Sequence, residues 1–289
     1  MADTTVLGPE PQDIETFIPF LSKEDLYKVE KPYGADFPVD NIEGAKITNH
    51  IFDIHPVRVH DVRGSPHELD LERNGACFIK AGVSLKAEEA SITMTPAMEK
   101  YIADVLTTLQ KKFPGYVEIR LMDFQIRKRS VEFPHGHGKK VEFAQPATMP
   151  HTDFSVNGAL MRMDDVFPNR KELYTGRDFD LLNIWKVLSG PNNDWPLAVC
   201  DYSSVDWDND TTTNDAVHLL RTGENWLLHY NEEQQWYYLS GMEEDDLIVF
   251  RNTDSEGQRS RCFHVAFNNP SATGPPRESV EVRVAAFRN

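Results

Sequence analysis

A histidine and an aspartate stand one residue apart in the segment MPHTDFS, residues 149–155. In extended backbone, side chains two residues apart project from the same face, so His151 and Asp153 could hold one metal ion between them. A third ligand has to come from a segment that is remote in sequence and adjacent in the fold. His264, inside the apolar stretch 261–267, is the candidate. The alternative for a lone histidine in such a stretch is a core residue satisfied by a hydrogen bond.

The end of the chain carries a candidate anion site. Arg277 and Ser279 begin the segment RESVEVRVAAF, and Arg283 lies on the same face if the segment is a regular strand. An arginine beside a hydroxyl forms a fork for a carboxylate, with charge-assisted hydrogen bonds and one further donor. The alternative is that both arginines form surface ion pairs with Glu278 or Glu281.

Taken in order, these residue types indicate iron chemistry. Two histidines and one carboxylate on one face of an iron leave three coordination positions open, which is the pattern of non-haem Fe(II) oxygenases. A 2-oxo acid can fill two of those positions through its keto oxygen and the adjacent carboxylate. Its distal carboxylate then needs a cation, which an Arg-x-Ser segment on the last strand can supply. The order of His-x-Asp, distant histidine and Arg-x-Ser is much more specific than any one of the three.

The composition bounds the class of protein. A chain of 289 residues with a hydrophobic fraction of 40% and a charged fraction of 26% is typical of a globular protein with a sizeable core. The net charge of -16 argues against a nucleic-acid partner, which needs a basic surface. The three cysteines form no CxxC pair, and no apolar run reaches the length of a membrane span. Since the N-terminus has no signal-peptide pattern, we expect a cytoplasmic protein without a membrane partner.

The hydrophobic pattern predicts the elements that must position these residues. Residues 95–113 place apolar side chains at helical spacing behind Thr95 and Pro96, which predicts a helix. From residue 116 onward, short strands alternate with separators rich in Gly, Pro, Asn and Asp, and we interpret the separator WDNDTTTND as a solvated acidic turn. The predicted strands cover residues 55–62, 117–128, 178–188, 196–202, 225–230, 234–240, 246–252, 262–267 and 279–287.

We therefore predict a mainly β protein with helices, in which a double-stranded β-helix (jelly-roll, cupin-like) core is flanked by N-terminal helices. Residues 1–289 form a single domain in this interpretation. Residues 1–50 are an irregular N-terminal arm, residues 51–115 provide strand and helix support, and residues 116–289 form the jelly-roll core.

The order of His151, Asp153, His264 and the Arg277-x-Ser279 pair resembles the Fe(II)/2-oxoglutarate-dependent oxygenase superfamily. The stretches VHDVRG, LLNIWKVLSGPNNDWPLAVCD, QQWYYLSGMEEDDLIVFRNTDS and RESVEVR are similar to its AsaB-like fungal hydroxylase/desaturase branch, which also resembles cephalosporin 7α-methoxylase components. The similarity runs from about residue 50 to the C-terminus. Within this branch, the chain is similar in general character to the TqaL-like aziridine-forming amino-acid oxygenases, which gives a more specific hypothesis. The resemblance implies a jelly roll that uses Fe(II), 2-oxoglutarate and O2.

One motif departs from this branch. Members often carry a proline after an Asn-Ile-Trp-Arg type motif, whereas this chain has Asn183-Ile184-Trp185-Lys186-Val187, a change expected to alter substrate contacts without touching the metal. Alternation puts Asn183 and Trp185 on one face, where they could line the pocket and Asn183 could contact a cofactor; the alternative for Trp185 is a core position. A separate His-x-His pair, His135 and His137, is interpreted as part of a loop near the pocket entrance.

The expected function is oxidation of a C–H bond of a small metabolite or amino acid in fungal-type specialised metabolism, by hydroxylation, desaturation or ring closure such as aziridine formation. Surplus arginines, including Arg127 and Arg129 before the His-x-Asp segment, suggest a carboxylate on the substrate, held by whichever of Arg277 and Arg283 does not hold 2-oxoglutarate. Two alternatives stay open: an iron oxidase or cyclase of the same fold that does not use 2-oxoglutarate, and a non-catalytic jelly-roll binding module.

Overall fold

The computed structural model describes residues 12–63, 68–135 and 141–289. The strands in these residues are, in chain order, β1 (Ile14–Leu21), β2 (Tyr33–Ala35), β3 (Phe52–Asp61), β4 (Ala76–Lys80), β5 (Glu118–Lys128), β6 (Phe179–Val187), β7 (Leu197–Cys200), β8 (Thr211–His218), β9 (Arg221–Leu228), β10 (Trp236–Tyr238), β11 (Asp246–Asp254), β12 (His264–Ala266) and β13 (Glu278–Phe287). The α-helices are α1 (Leu71–Asn74), α2 (Pro96–Lys112), α3 (Val156–Val166) and α4 (Trp207–Asp210). Short 3-10 helices lie at Asp25–Lys28, Lys171–Leu173 and Tyr202–Ser204.

Two five-stranded sheets form the core. One has the order β1-β3-β10-β7-β12 and the other the order β4-β11-β6-β13-β5, while β2, β8 and β9 form a three-stranded extension. The sheets pack through side chains that alternate inward, such as Trp185 and Val187 of β6, Val199 of β7 and Phe250 of β11, which share one buried cluster. The predicted double-stranded β-helix is confirmed.

The predicted helix at residues 95–113 is present as α2 and covers the outer face of the second sheet. The Thr95 hydroxyl accepts a hydrogen bond from the amide of Met98, and Pro96 occupies the first turn, where it costs no hydrogen bond. The apolar stripe of the helix, including Tyr101 and Val105, is buried in one cluster with Ile184 of β6 and Val282 of β13. Because the other faces of β6 and β13 point into the roll, α2 holds the strands that carry candidate site residues.

Part of the N-terminal third of the chain belongs to the roll, so the structure departs from the predicted irregular arm over residues 1–50 chiefly at β1. Residues 14–21 form β1, which pairs with β3 along its whole length. The cause is alternation in IETFIPFL: Thr16, Ile18 and Phe20 are buried, while Phe17 points outward. With β1, β3 and β4, segments before residue 116 complete both sheets. That the whole chain forms a single domain stays a prediction.

The interpretation of WDNDTTTND as a solvated turn is also wrong. Asp206 caps α4 by accepting a hydrogen bond from the amide of Asn209, and the threonines that follow begin β8. Threonine is β-branched and favours strands, and β8 pairs with β9 over eight register positions. This hairpin matters for the site because it forms one wall of the cavity beside Asp153.

Candidate active site

The His-x-Asp segment is held between two strands that are distant in sequence. The His151 amide donates to the His264 carbonyl oxygen at 3.2 Å, and the His264 amide donates back to His151 at 2.9 Å. On its other side, the Thr152 amide donates to the carbonyl oxygen of Trp226 at 3.0 Å. No strand forms over residues 151–153: His151 makes isolated bridges, Asp153 lies in a bend, and α3 follows. The two side chains therefore converge through a turn and not through regular strand geometry.

The start of α3 fixes this turn. Ser155 caps the helix, and its hydroxyl accepts a hydrogen bond from the Gly158 amide at 2.9 Å. A Cβ atom at Gly158 would lie 1.8 Å from the carbonyl oxygen of Glu224 in β9, so only glycine permits this contact between helix and strand. The close packing holds the chain directly after Asp153.

His151, Asp153 and His264 bring three candidate ligand atoms together. Nε2 of His151 lies 3.5 Å, and Nε2 of His264 lies 3.9 Å, from Oδ1 of Asp153. One ligand atom from each residue falls within 4.8 Å of the others, and the two imidazole centroids are 4.3 Å apart. This donor set fits one ion that keeps its remaining coordination positions open.

Hydrogen bonding and burial prepare these groups for a metal. Nδ1 of His151 lies 2.7 Å from the carbonyl oxygen of Met149, which makes Nδ1 the donor and leaves the Nε2 lone pair toward Asp153. Burial, and then the neighbouring His151, lower the pKa of His264 well below its usual value. Burial alone would raise the pKa of Asp153, but Arg283 and His151 outweigh it and hold that pKa well below its usual range. His264 is therefore neutral and Asp153 ionised, the forms that bind a metal.

A network of hydrogen bonds holds the second carboxylate oxygen of Asp153, Oδ2. Oδ2 accepts from Nδ2 of Asn183 and from Nε of Arg283, each at 2.7 Å. The Asn252 side chain donates to Oδ1 of Asn183 at 2.7 Å and accepts from the Asp153 amide at 2.8 Å. Oδ1 is thereby left to face the histidines. Asn183, expected to contact a cofactor, lies against Asp153, while Trp185 lines the adjacent cavity.

Sequence reasoning missed Asn252. The available signal was the polar run Arg251–Asp254 at the end of β11, a strand in which every residue is buried. Buried polar side chains require partners, so a polar run inside a buried strand indicates a network. Its partner could not be read from the sequence, because Asn183 lies 69 positions away.

Arg277 and Ser279 are buried, and each has a side-chain hydrogen-bond donor that lacks an acceptor among the described residues. Arg277 is 1% exposed, lies over the ring of Trp185 at 5.4 Å, and donates one hydrogen bond to the carbonyl oxygen of Trp195. Among the residues that the structure describes, Nε of Arg277 and Oγ of Ser279 have no hydrogen-bond partner. Orphan donors in a buried position are costly unless a ligand satisfies them. A carboxylate would satisfy both.

Two cavities meet at Asp153. The smaller one is lined by His151, Asp153 and His264 together with Arg127 and Arg277. The larger one has a volume of about 280 Å³ and shares Asp153 and Arg127 with the smaller cavity. Asp153 and Arg127 therefore lie at the boundary between the two cavities.

The other sequence-predicted cations lie in different surroundings. Arg283 contacts Asp153, Asp123 at 3.1 Å and Glu281 at 2.6 Å, so its charge is already neutralised. Arg129 is paired with the carboxylate of Asp194 at 2.5 Å and lines neither cavity. Of the His-x-His pair, His137 lies outside the described residues.

A jelly roll that converges two histidines and one carboxylate on a buried cavity defines the class of non-haem iron oxygenases. Comparison with known proteins gives the family. A family model described as oxidoreductase/YMDC permease-like domain matches residues 19–287. The chain is 30% identical over 276 residues, 92% of each chain, to the Fe(II)/2-oxoglutarate-dependent dioxygenase nvfI of Aspergillus novofumigatus. It is 25% identical over 256 residues to the hydroxylase/desaturase efuI of Hormonema carpetanum, covering 82% of this chain and 84% of that protein.

A solved structure shares the whole architecture. The iron and alpha-ketoglutarate-dependent endoperoxidase NvfI superposes with a TM-score of 0.80 at 26% identity, covering 96% of this chain and 98% of that one. The chain therefore belongs to the Fe(II)/2-oxoglutarate-dependent dioxygenases.

The protein is accordingly an enzyme that uses Fe(II), 2-oxoglutarate and O2, and the resemblance to the fungal hydroxylase/desaturase branch is confirmed. This membership sets aside both alternatives, the oxidase that does not use 2-oxoglutarate and the non-catalytic binding module. Among the described residues, no helix is both long and apolar enough to span a bilayer.

Proposed function

We propose that His151, Asp153 and His264 hold the Fe(II) of this dioxygenase. The observation that carries the proposal is the convergence of two imidazole nitrogens and one carboxylate oxygen within 4.8 Å. The hydrogen bonds from His151 to Met149 and from Asn183 to Asp153 support it, because outer partners of this kind orient metal ligands and raise their affinity.

Arg277 and Ser279 are the proposed anchor for the distal carboxylate of 2-oxoglutarate. The support is their unfilled donors and the place of Arg277 in the cavity lined by the three ligands. Burial, and then the neighbouring Arg127, lower the pKa of Arg277, and nearby carboxylates offset this effect only in part. Arg283, the competing candidate, already contacts three carboxylates, so its charge is compensated without a ligand.

When bound, Fe(II), 2-oxoglutarate and O2 supply the oxidation, with 2-oxoglutarate leaving as succinate and CO2. The chain supplies position and exclusion of water. Trp185, Leu197 and Ala266 line the cavity between Arg277 and the ligands and leave little room for water there. Arg283 keeps Asp153 ionised and turns one carboxylate oxygen toward the histidines.

The reaction is the oxidation of a C–H bond in a small, carboxylate-bearing metabolite or amino acid of fungal-type specialised metabolism. Hydroxylation, desaturation and ring closure such as aziridine formation are its candidate outcomes. The names of two relatives support this range, since efuI is a hydroxylase/desaturase and NvfI an endoperoxidase. The larger cavity next to Asp153 supports a compact substrate.

The test combines metal content with turnover of the co-substrate. The purified chain, reconstituted anaerobically with Fe(II), should bind one equivalent and develop the visible charge-transfer absorption of an Fe(II)–2-oxoglutarate complex. Admission of O2 should then produce succinate. Absence of the absorption at saturating 2-oxoglutarate, or equal iron binding after His151→Ala and His264→Ala are combined, would contradict the proposed site.

A further inference from the structure

Most of the charged side chains that line the larger cavity have a partner of opposite charge, either within the lining or just outside it. Arg162 lies 2.7 Å from Asp123 and Arg283 lies 2.7 Å from Asp153. The remaining ion pairs are Arg221–Asp165 at 3.6 Å and Lys31–Glu224 at 2.5 Å, and His218 is hydrogen-bonded to Asp36 at 2.6 Å. A neutral ligand could bind to such a wall without meeting an isolated charge, so a cation left out of this pairing is informative.

Arg127 is that cation. It forms no ion pair with a carboxylate in the part of the chain that the structure describes, and one of its nitrogens donates to the carbonyl oxygen of Gln145. It lines both cavities, and in the sheet it stands opposite Ser279. Burial lowers its pKa, and the carboxylates of Glu281 and Asp153 oppose this effect without forming an ion pair with it. A guanidinium in such a position is held ready for an anion.

Fe(II) and 2-oxoglutarate do not supply that anion. Asp153 and one carboxylate of 2-oxoglutarate would offset the two positive charges of the iron, and Arg283, which also contacts Asp153, would then be balanced by Glu281. The distal carboxylate is offset by Arg277. Glu281 is taken by Arg283 at 2.6 Å. Arg127 therefore keeps its charge in the loaded enzyme, at the border between the ligands and the larger cavity.

We propose that Arg127 binds a carboxylate of the substrate and that the enzyme acts on small carboxylic acids, at a carbon a few bonds from that carboxylate. This inference rests on the proposed function and replaces Arg283, the residue that sequence reasoning left for this role. The cavity of about 280 Å³ lies just below the range of roughly 300–1,000 Å³ for small-molecule sites, which favours a compact acid. The acids that line this wall are all paired, so an amino group on the substrate is not required.

The probes are the proteinogenic L-amino acids and a series of straight-chain and branched aliphatic acids, each compared with its methyl ester. Succinate formation by the Fe(II)-loaded enzyme is measured with each probe. Binding is measured separately and without O2, as the perturbation of the Fe(II)–2-oxoglutarate charge-transfer absorption. The variants are Arg127→Gln and Arg127→Lys. Arg120→Gln is the matched control, since Arg120 lies in the same strand, is paired with Glu118 and lines neither cavity.

At least one acid should stimulate succinate formation and perturb the absorption, while its ester should do neither. In Arg127→Gln the apparent affinity for that acid should fall about 10- to 100-fold, as for the loss of a hydrogen bond to a charged group. Arg127→Lys should recover part of it, and Arg120→Gln should match the wild type. The affinity for 2-oxoglutarate should stay near the wild-type value in all three variants.

Three outcomes would overturn the inference: no acid stimulates, ester and acid act alike, or Arg127→Gln binds the acid as the wild type does. A large loss of 2-oxoglutarate affinity in Arg127→Gln would also overturn it, because Arg127 would then hold the co-substrate. Failure of the wild type to form the charge-transfer absorption at all would refute the proposed function instead, so the two failures are distinguishable.

Discussion

Replacing Arg277 by methionine tests the co-substrate anchor most directly. The change removes the charge and keeps an unbranched side chain of similar length in a position that is 1% exposed. In the free protein the guanidinium has already lost its hydration and lacks a carboxylate partner among the described residues, so binding of 2-oxoglutarate has only its own carboxylate to desolvate. In the wild type, the ion pair between Arg277 and 2-oxoglutarate should therefore contribute nearly its full interaction free energy to binding.

The size of the effect follows from that burial. Loss of one partner from a buried charge pair costs about 3–5 kcal/mol, and about 1.4 kcal/mol corresponds to a factor of ten in affinity. Ser279 retains its hydroxyl and can still donate, which places the expectation at the lower end. We expect the dissociation constant for 2-oxoglutarate to rise at least about 100-fold in Arg277→Met.

The assay is anaerobic titration of the Fe(II)-loaded enzyme with 2-oxoglutarate, followed by its charge-transfer absorption, alongside a separate measurement of iron affinity. Arg283→Met is the comparison, because Arg283 lies six residues further along, within β13, and hydrogen-bonds Asp153. Arg277→Met should lose 2-oxoglutarate affinity and keep iron affinity, whereas Arg283→Met should lose iron affinity. If Arg283→Met alone weakens 2-oxoglutarate while leaving iron binding intact, the two roles are reversed and the reasoning fails.

Three further expectations concern the metal and the framework. His264→Ala should abolish succinate formation and stoichiometric iron binding, measured by metal analysis, and near-normal turnover would remove the site from this position. Asn183→Ala should weaken iron binding about tenfold, the lower end of the usual effect of outer partners, because Arg283 still holds the same oxygen of Asp153; an unchanged dissociation constant would exclude this positioning role. Thr95→Ala should lower the free energy of unfolding by about 1 kcal/mol in urea titrations while iron affinity stays constant, and a change in iron affinity would contradict the structural role assigned to the cap.

Local sequence patterns predicted the helices and strands whose determinants lie within a few residues of one another. The helix after Thr95 has a cap, a proline in the first turn and an apolar stripe, and each of these acts within a few residues. The strand-rich second half is marked by alternation and by turn residues. The errors fell where two local signals competed. Acidic and polar residues in WDNDTTTND suggested a turn, but pairing with β9 gave the threonines a place in a sheet.

The ligand triad was accessible from order and spacing, but its geometry was not. His151 and Asp153 converge because a turn and a capped helix hold them between β9 and β12, a contact made by backbone hydrogen bonds to residues more than 70 positions away. Nothing near residue 151 encodes those partners. The same limit hid Asn252, whose role depends on the register between β6 and β11.

Arg277 and Arg283 have different roles because their guanidinium groups lie at different places in the roll. Six residues of extended chain separate them by about 20 Å, so the two guanidinium groups approach the same site from opposite ends. Arg283 arrives beside Asp123, Asp153 and Glu281, where its charge sets the ionisation and orientation of the candidate metal ligand. Arg277 lies over Trp185, and its guanidinium has no carboxylate partner among the residues that the structure describes, so a ligand would complete its hydrogen bonding. A buried arginine that is paired with carboxylates positions the other site residues. A buried arginine that lacks a carboxylate partner indicates where a substrate or co-substrate binds.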